Sequence, residues 1–106
     1  MKNISSITTN YKSNHKKICD VRFKVFVDEQ NVPEELEIDG FDDDATHALI
    51  LLDNKAIGTG RILSDGHIGR VAVLQKYRGQ GVGKLIMKIL IEWAQENQLK
   101  TLWLSS

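Results

Sequence analysis

The chain has 106 residues, 42% of them hydrophobic, and its 14 cationic side chains balance 14 carboxylates. That length supports one small domain with its own core, and zero formal charge supplies no global field for nucleic acid. A single cysteine excludes an intramolecular disulfide and suits a reducing cytoplasm, while no apolar run reaches the ~20 residues that span a bilayer and Met1 to Ser6 lacks a secretory core.

Ile4 to Thr9 reads as a short first strand. From Lys12 to about Asp28, Ile18, Val21 and Val25, with Cys19 and Phe26, recur at three- and four-residue spacing, the pattern of an amphipathic helix. Ser13 is its expected N-cap, and Pro33 prevents continuation. Cys19 falls inside the pattern as a buried, inert thiol rather than a nucleophile. Glu34 to Asp44 is then a loop with seven carboxylates: Glu34, Glu35, Glu37, Asp39, Asp42, Asp43 and Asp44. Their spacing misses the glycine and terminal glutamate of a calcium loop, so no metal is expected. Two readings remain for this stretch: a solvated charge run, or a mouth that attracts amines.

Three strands follow, Ala45 to Leu52, Ala56 to Leu63 and His67 to Val73, joined by turns at Asp53-Asn54-Lys55 and Ser64-Asp65-Gly66. A long helix, roughly Val82 to Asn97, carries Val82, Leu85, Ile86, Ile89, Leu90 and Trp93 on one broad face. Met87, Ile91 and Ala94 widen that face enough to imply burial on more than one side. Leu99 to Leu104 reads as a last strand. The order β-α-β-β-β-α-β is an α+β arrangement.

The most informative stretch joins the third of those strands to the long helix: Arg78-Gly79-Gln80-Gly81-Val82-Gly83-Lys84. Every charged residue from Lys76 through Lys88 is a cation, and the first carboxylate comes only at Glu92. A helix N-terminus carries about half a positive charge and favours Asp or Glu, so each cation here costs roughly 0.3–1 kcal/mol unless an anion occupies the end. The glycines leave backbone N–H groups open to close approach. A phosphate-bearing ligand seated on the turn accounts for both features; a solvated basic helix start is the alternative.

Two phosphate motifs fail. A Walker-type loop needs glycine at position 78 and Ser or Thr at 85, which are Arg and Leu; the dinucleotide pattern G-x-G-x-x-G meets Lys84 or Ile86 where its last glycine belongs. What matches is Arg-x-x-Gly-x-Gly at Arg78, Gly81 and Gly83, with Val71-Ala72-Val73 before it and Leu85 after it. This closely resembles motif A of the GNAT acetyltransferases. Arg22, Val25-Phe26-Val27, Glu29-Gln30, Val32-Pro33, Glu37, Asp39, Asp43 and His47 resemble the N-terminal half of the ElaA-type subgroup of that family.

The resemblance implies a GNAT-like mixed sheet and N-acetyl transfer from acetyl-CoA to a primary amine, a small molecule or a peptide, by direct attack in a ternary complex. It places backbone N–H groups of Gly79, Gln80, Gly81, Val82, Gly83 and Lys84 on the pyrophosphate, with Arg78 shaping the turn. The backbone of Val71, Ala72 and Val73 would pair with the pantetheine arm like an added strand. A general base takes the ammonium proton, and a backbone N–H of the third hairpin strand polarises the carbonyl. Three residues are candidates for the base: His47, which starts a strand and has a side chain that titrates near neutrality, and Glu29 and Glu37, which flank the expected amine entrance. His47 is alternatively a structural hydrogen-bonder, and each Glu a cap, a partner of Arg22 or Arg61, or a solvated side chain.

In the family a further helix and two closing strands follow the last strand, and position 106 falls at that strand. The expectation is a single C-terminally truncated domain over 1–106 whose last strand is an uncovered apolar edge, open to pairing as a homodimer. The family's next helix often carries a tyrosine that protonates the departing thiolate, and neither Tyr11 nor Tyr77 is placed to replace it. A second class of function therefore stands beside the enzyme: a catalytically silent CoA-binding or self-associating module. No nucleic acid and no membrane are expected as partners.

Overall fold

Residues 46 to 52, Thr-His-Ala-Leu-Ile-Leu-Leu, are nearly all apolar, as a strand covered on both faces must be. In the computed structural model, which describes residues 3–104, they form the second of five strands in one mixed sheet. The strands lie side by side in chain order: β1 (Ile4–Thr9), β2 (Thr46–Leu52), β3 (Lys55–Ile62), β4 (His67–Val73) and β5 (Trp103–Leu104). β1 through β4 are antiparallel neighbours, and β5 joins in parallel beside the start of β4. The expected α+β order is the observed one.

The β2–β3 hairpin turns on Asp53 and Asn54, with φ of +51° and +69°. A two-residue turn matching the strands' twist needs positive φ at both positions, and Asn and Asp tolerate it best. Of the stretch 99–104 expected as strand, only Trp103–Leu104 pairs with β4.

Helix α1 (Tyr11–Arg22) covers one face of the sheet. Its N-cap is Asn10 rather than the expected Ser13: the Asn10 side chain accepts the Ser13 N–H at 2.8 Å. The helix runs on without a break into a wider π-helical segment, Phe23–Glu29. Within the acidic stretch expected to be loop, two helical turns form: α2 (Glu34–Glu37), preceded by Pro33 with its fixed φ, and a 3-10 turn at Asp42–Asp44. Helix α3 (Val82–Glu96) covers the opposite face, burying Val82, Ile86, Leu90 and Ala94 at four-residue spacing.

β2 divides its side chains by alternation: Ala48 and Ile50 pack under α3, Leu49 and Leu51 beside Ile18 of α1. Fully burying each Leu or Ile contributes about 1.5–3 kcal/mol. α3 sits close to β3 because Gly58 and Gly60 lie beneath it. A Cβ at Gly60 would stand 2.6 Å from Ile86 Cγ2, and one at Gly58 2.8 Å from Val82 Cγ1. Among the described residues no helix is long and apolar enough to cross a membrane.

Candidate functional site

The glycine-rich turn lies where β4 gives way to α3. Gly79 and Gly81 adopt φ of +77° and +87°, a left-handed backbone that glycine takes at no cost. Gly81 is the N-cap of α3 and makes no side-chain cap. The first helical bond runs from Leu85 N–H to the Gly81 carbonyl, so the N–H groups of Val82, Gly83 and Lys84 come before it. No carboxylate stands in the first turn to answer them. A groove of about 440 Å³ opens over this end, lined by Val73, Tyr77, Arg78, Gly79, Gly81, Val82, Gly83 and Lys84.

Gly83 decides what this groove is suited to. Its φ is ordinary, and a Cβ there would meet nothing within 4 Å. The protein's own packing gives no reason for glycine, which costs about 1 kcal/mol relative to alanine in a helix. A ligand drawn against the backbone does give one. An anion at a helix N-terminus, with exposed Lys84 beside it, fits the donors present.

Arg78 fixes the turn to the sheet. Its Nε donates to the Val73 carbonyl at 3.0 Å, and its Nη2 donates to both oxygens of Glu29 at 2.9 and 2.8 Å. That fork ties the end of the π-helical segment to the end of β4. Leu74 N–H points inward to the Ile57 carbonyl, so by alternation the polar groups of Val73 and Val71 face the other edge of β4. β5 pairs only with His67 and Ile68, and among the described residues no strand covers that edge beyond them. The edge and the groove meet at Val73.

On the α1 side lies a buried ionic network. Arg22, 1% exposed, donates through Nε to Glu37 Oε1 and through Nη1 to Asp42 Oδ1, both at 2.6 Å. Arg61 donates to the same Asp42 oxygen at 2.9 Å and grips Asp39 through both Nη atoms. Arg70 reaches Asp39 Oδ2 at 3.2 Å. Arg61's hydrogen bonds, outweighing partial burial, hold the Asp39 carboxyl well below the usual carboxylate range. His47 is buried in the same corner, Nε2 against the Asp42 carbonyl at 3.0 Å, and burial pushes its pKa below the ordinary value.

The residues named from sequence thus separate into two groups. Val73, Arg78, Gly79, Gly81, Val82, Gly83 and Lys84 line one groove, joined by Tyr77, which sequence reasoning missed. Val71 packs beneath α3 and contributes its backbone edge; the Ala72 side chain turns to the opposite face, with Val21 and Val25. Gln80 bonds the Lys76 carbonyl and lines a neighbouring depression with Ile4 and Leu85. The three candidate bases are not brought together on the groove. Glu37, expected at an amine entrance, is instead 1% exposed and held by Arg22. His47 is sealed at Asp42, and Glu29 is engaged by Arg78. Cys19 is half-buried, its Sγ 3.0 Å from the Tyr11 hydroxyl.

Comparison with known proteins gives the same assignment. The acetyltransferase (GNAT) family model matches residues 15–106. The chain belongs to this family. It is 44% identical over 73 residues to an uncharacterized N-acetyltransferase of Bacillus subtilis, YjcF, a match covering 66% of this chain and 52% of that protein. The chain therefore spans about half the length of that relative. Among solved structures it resembles Escherichia coli ElaA, with 28% identity and a TM-score of 0.84 over 95% of this chain and 76% of that one. An acyl-CoA N-acyltransferase from Pseudomonas aeruginosa matches equally in shape, TM-score 0.84, at 26% identity over 97% of this chain and 79% of that one. Family and fold together support acyl transfer as the general chemistry.

Proposed function

We propose that this protein is an N-acetyltransferase that moves the acetyl group of acetyl-CoA directly to a primary amine. The carrying observation is the groove at the start of α3, where Gly83 leaves vacant a space the protein does not itself need. The N–H groups of Val82, Gly83 and Lys84 hold the pyrophosphate, and Arg78, committed to Val73 and Glu29, keeps the turn in shape. Several charge-assisted bonds of about 1.5–3 kcal/mol each suffice for affinity on the order of micromolar after ordering costs. Bound acetyl-CoA supplies the thioester. The open edge of β4 pairs with its arm through Val71 and Val73 and offers a backbone N–H to the carbonyl.

The acidic connection around α2 forms the acceptor side. Glu34, Glu35, Asp43 and Asp44 remain exposed there and attract a cationic amine. Glu37 and His47 are enclosed and Glu29 is paired, so the proton leaves the ammonium to water at the open edge rather than to any of these three.

Calorimetry with CoA, run beside thiol release from acetyl-CoA with 2-phenylethylamine and spermidine, tests the proposal. Binding and release are expected. Gly81→Glu places bulk and negative charge against the pyrophosphate and is expected to abolish binding in a folded protein. Binding without thiol release under any amine would favour a silent CoA-binding module. Absence of binding at millimolar CoA would sink both.

A further inference from the structure

β4 changes character at Arg70. Gly69 pairs with Arg61 and Ala72 with Thr59, so β4 spends one residue more than β3 across this interval. Arg70 takes φ +51°, a left-handed conformation that a side chain with a Cβ resists. Such a bulge bends the strand. Upstream of it β4 still pairs with β5; downstream, Val71 and Val73 form the open edge.

The Arg70 side chain extends to the acidic connection. Its Nη2 lies 3.4 Å from the Leu36 carbonyl, 3.1 Å from the Glu37 carbonyl and 3.2 Å from Asp39 Oδ2. The carbonyls belong to the end of α2, whose last C=O groups find no partner within so short a helix; that of Glu37 also accepts from Arg22 Nη2 at 3.1 Å, and Arg70 is the tether that leads to β4. Asp39 is itself held by Arg61. An unfavourable φ persists where surroundings over-determine it, and clusters where strain serves a function. Here the backbone of Arg70 belongs to the cofactor edge and its guanidinium to the acceptor side.

We infer that Arg70 is a positioning residue that couples the two halves of the site: cofactor pairing along β4 fixes the bulge, and the bulge fixes the α2 turn. The inference rests on the N-acetyltransferase reading above and deepens it. An acceptor then meets a steadier α2 turn once the cofactor is seated. Arg70 acts through the turn and touches neither reactant.

Hydrogen exchange over residues 34–39, with and without CoA, tests the coupling, with CoA calorimetry on the same samples. In the native sequence, CoA is expected to slow exchange at Leu36 to Asp39 about tenfold, an ordinary strength of site-to-site coupling. Arg70→Gly accepts the positive φ freely and removes only the tether. It is expected to bind CoA about as tightly while losing most of the CoA-dependent slowing, a readout that a merely structural role would not move. All three Arg70 contacts come from Nη2 alone, so Arg70→Met, which keeps a long stem without any donor, is expected to lose the slowing as well. Equal slowing in the native chain and either variant would overturn the coupling, as would CoA binding to the native chain without slowing. Loss of CoA affinity in Arg70→Gly would overturn it too, by assigning the residue to the cofactor site. A native chain that gives no heat with CoA overturns the acetyltransferase reading first, and this inference with it.

Discussion

Two charged regions flank the bend of β4 and use charge in opposite ways. On the acidic side, Arg22, Arg61 and Arg70 meet Glu37, Asp39 and Asp42, and the fold consumes all six. On the basic side, the first turn of α3 has no carboxylate, and its leading residues line a groove. Of the seven carboxylates between Glu34 and Asp44, three are spent internally and four, Glu34, Glu35, Asp43 and Asp44, face water. A run of charge therefore indicates function only after the fold's own share is subtracted. The glycines divide in the same way: Gly58 and Gly60 serve packing under α3, whereas Gly79, Gly81 and Gly83 face open space.

Breaking the acidic side should have the largest effect. Arg22→Ala leaves Glu37 and Asp42 buried with their nearest cation gone, and the loss of one partner from such a network costs about 3–5 kcal/mol. Urea unfolding is expected to show a midpoint lowered accordingly; a shift within error would mean the network contributes nothing net. Gly60→Ala should come next, because its Cβ would press on Ile86 and Leu90 of α3. Overpacking of this kind costs about 1–3 kcal/mol, while CoA affinity of the folded fraction should hold.

The grouping of residues on the basic side was more legible in the sequence than that on the acidic side, for a physical reason. Arg78 to Lys84 is contiguous, and its chemistry depends on neighbours a few positions away. The hairpins and both long helices are local in the same sense. The acidic network joins partners 15 to 33 positions apart, Arg22 with Glu37 and Arg70 with Glu37, and Arg78 meets Glu29 across 49. Nothing in the spacing of Arg22 reveals that all three nitrogens of its guanidinium are already engaged. Ser13 is the cap expected because a serine opens the apolar pattern, yet Asn10, one step before Tyr11, has the extended backbone a cap needs, and its side chain accepts the Ser13 N–H. Tyr77 was passed over because a three-residue turn, Gln75–Tyr77, carries no periodicity.

Acid should separate the two regions with a smaller effect. Asp39 has a folded pKa below its unfolded value near 3.9, so its contribution is present above about pH 4 and is lost as pH falls below. His47 also has a lowered folded pKa. The unfolded chain therefore takes up that proton first, and stability declines as pH falls below about 6.5. Urea midpoints are expected to fall in two stages, the first abolished by His47→Gln and the second by Asp39→Asn. A flat profile between pH 8 and about pH 5 would show that His47 does not stay neutral in the fold.

Gly83→Ala has the smallest expected effect on stability and discriminates most sharply between the two kinds of glycine. With no atom within 4 Å of the new Cβ, nothing in the protein opposes it. Helix propensity favours it by up to about 1 kcal/mol, so the melting temperature should stay level or rise slightly. The same methyl occupies the space a pyrophosphate needs against the helix N-terminus, so CoA affinity should fall by about tenfold or more. Gly60→Ala should show the reverse, a less stable protein that still binds. If both alanines destabilise and both leave CoA binding intact, the glycines of the turn serve the fold alone, and the groove has no phosphate to hold.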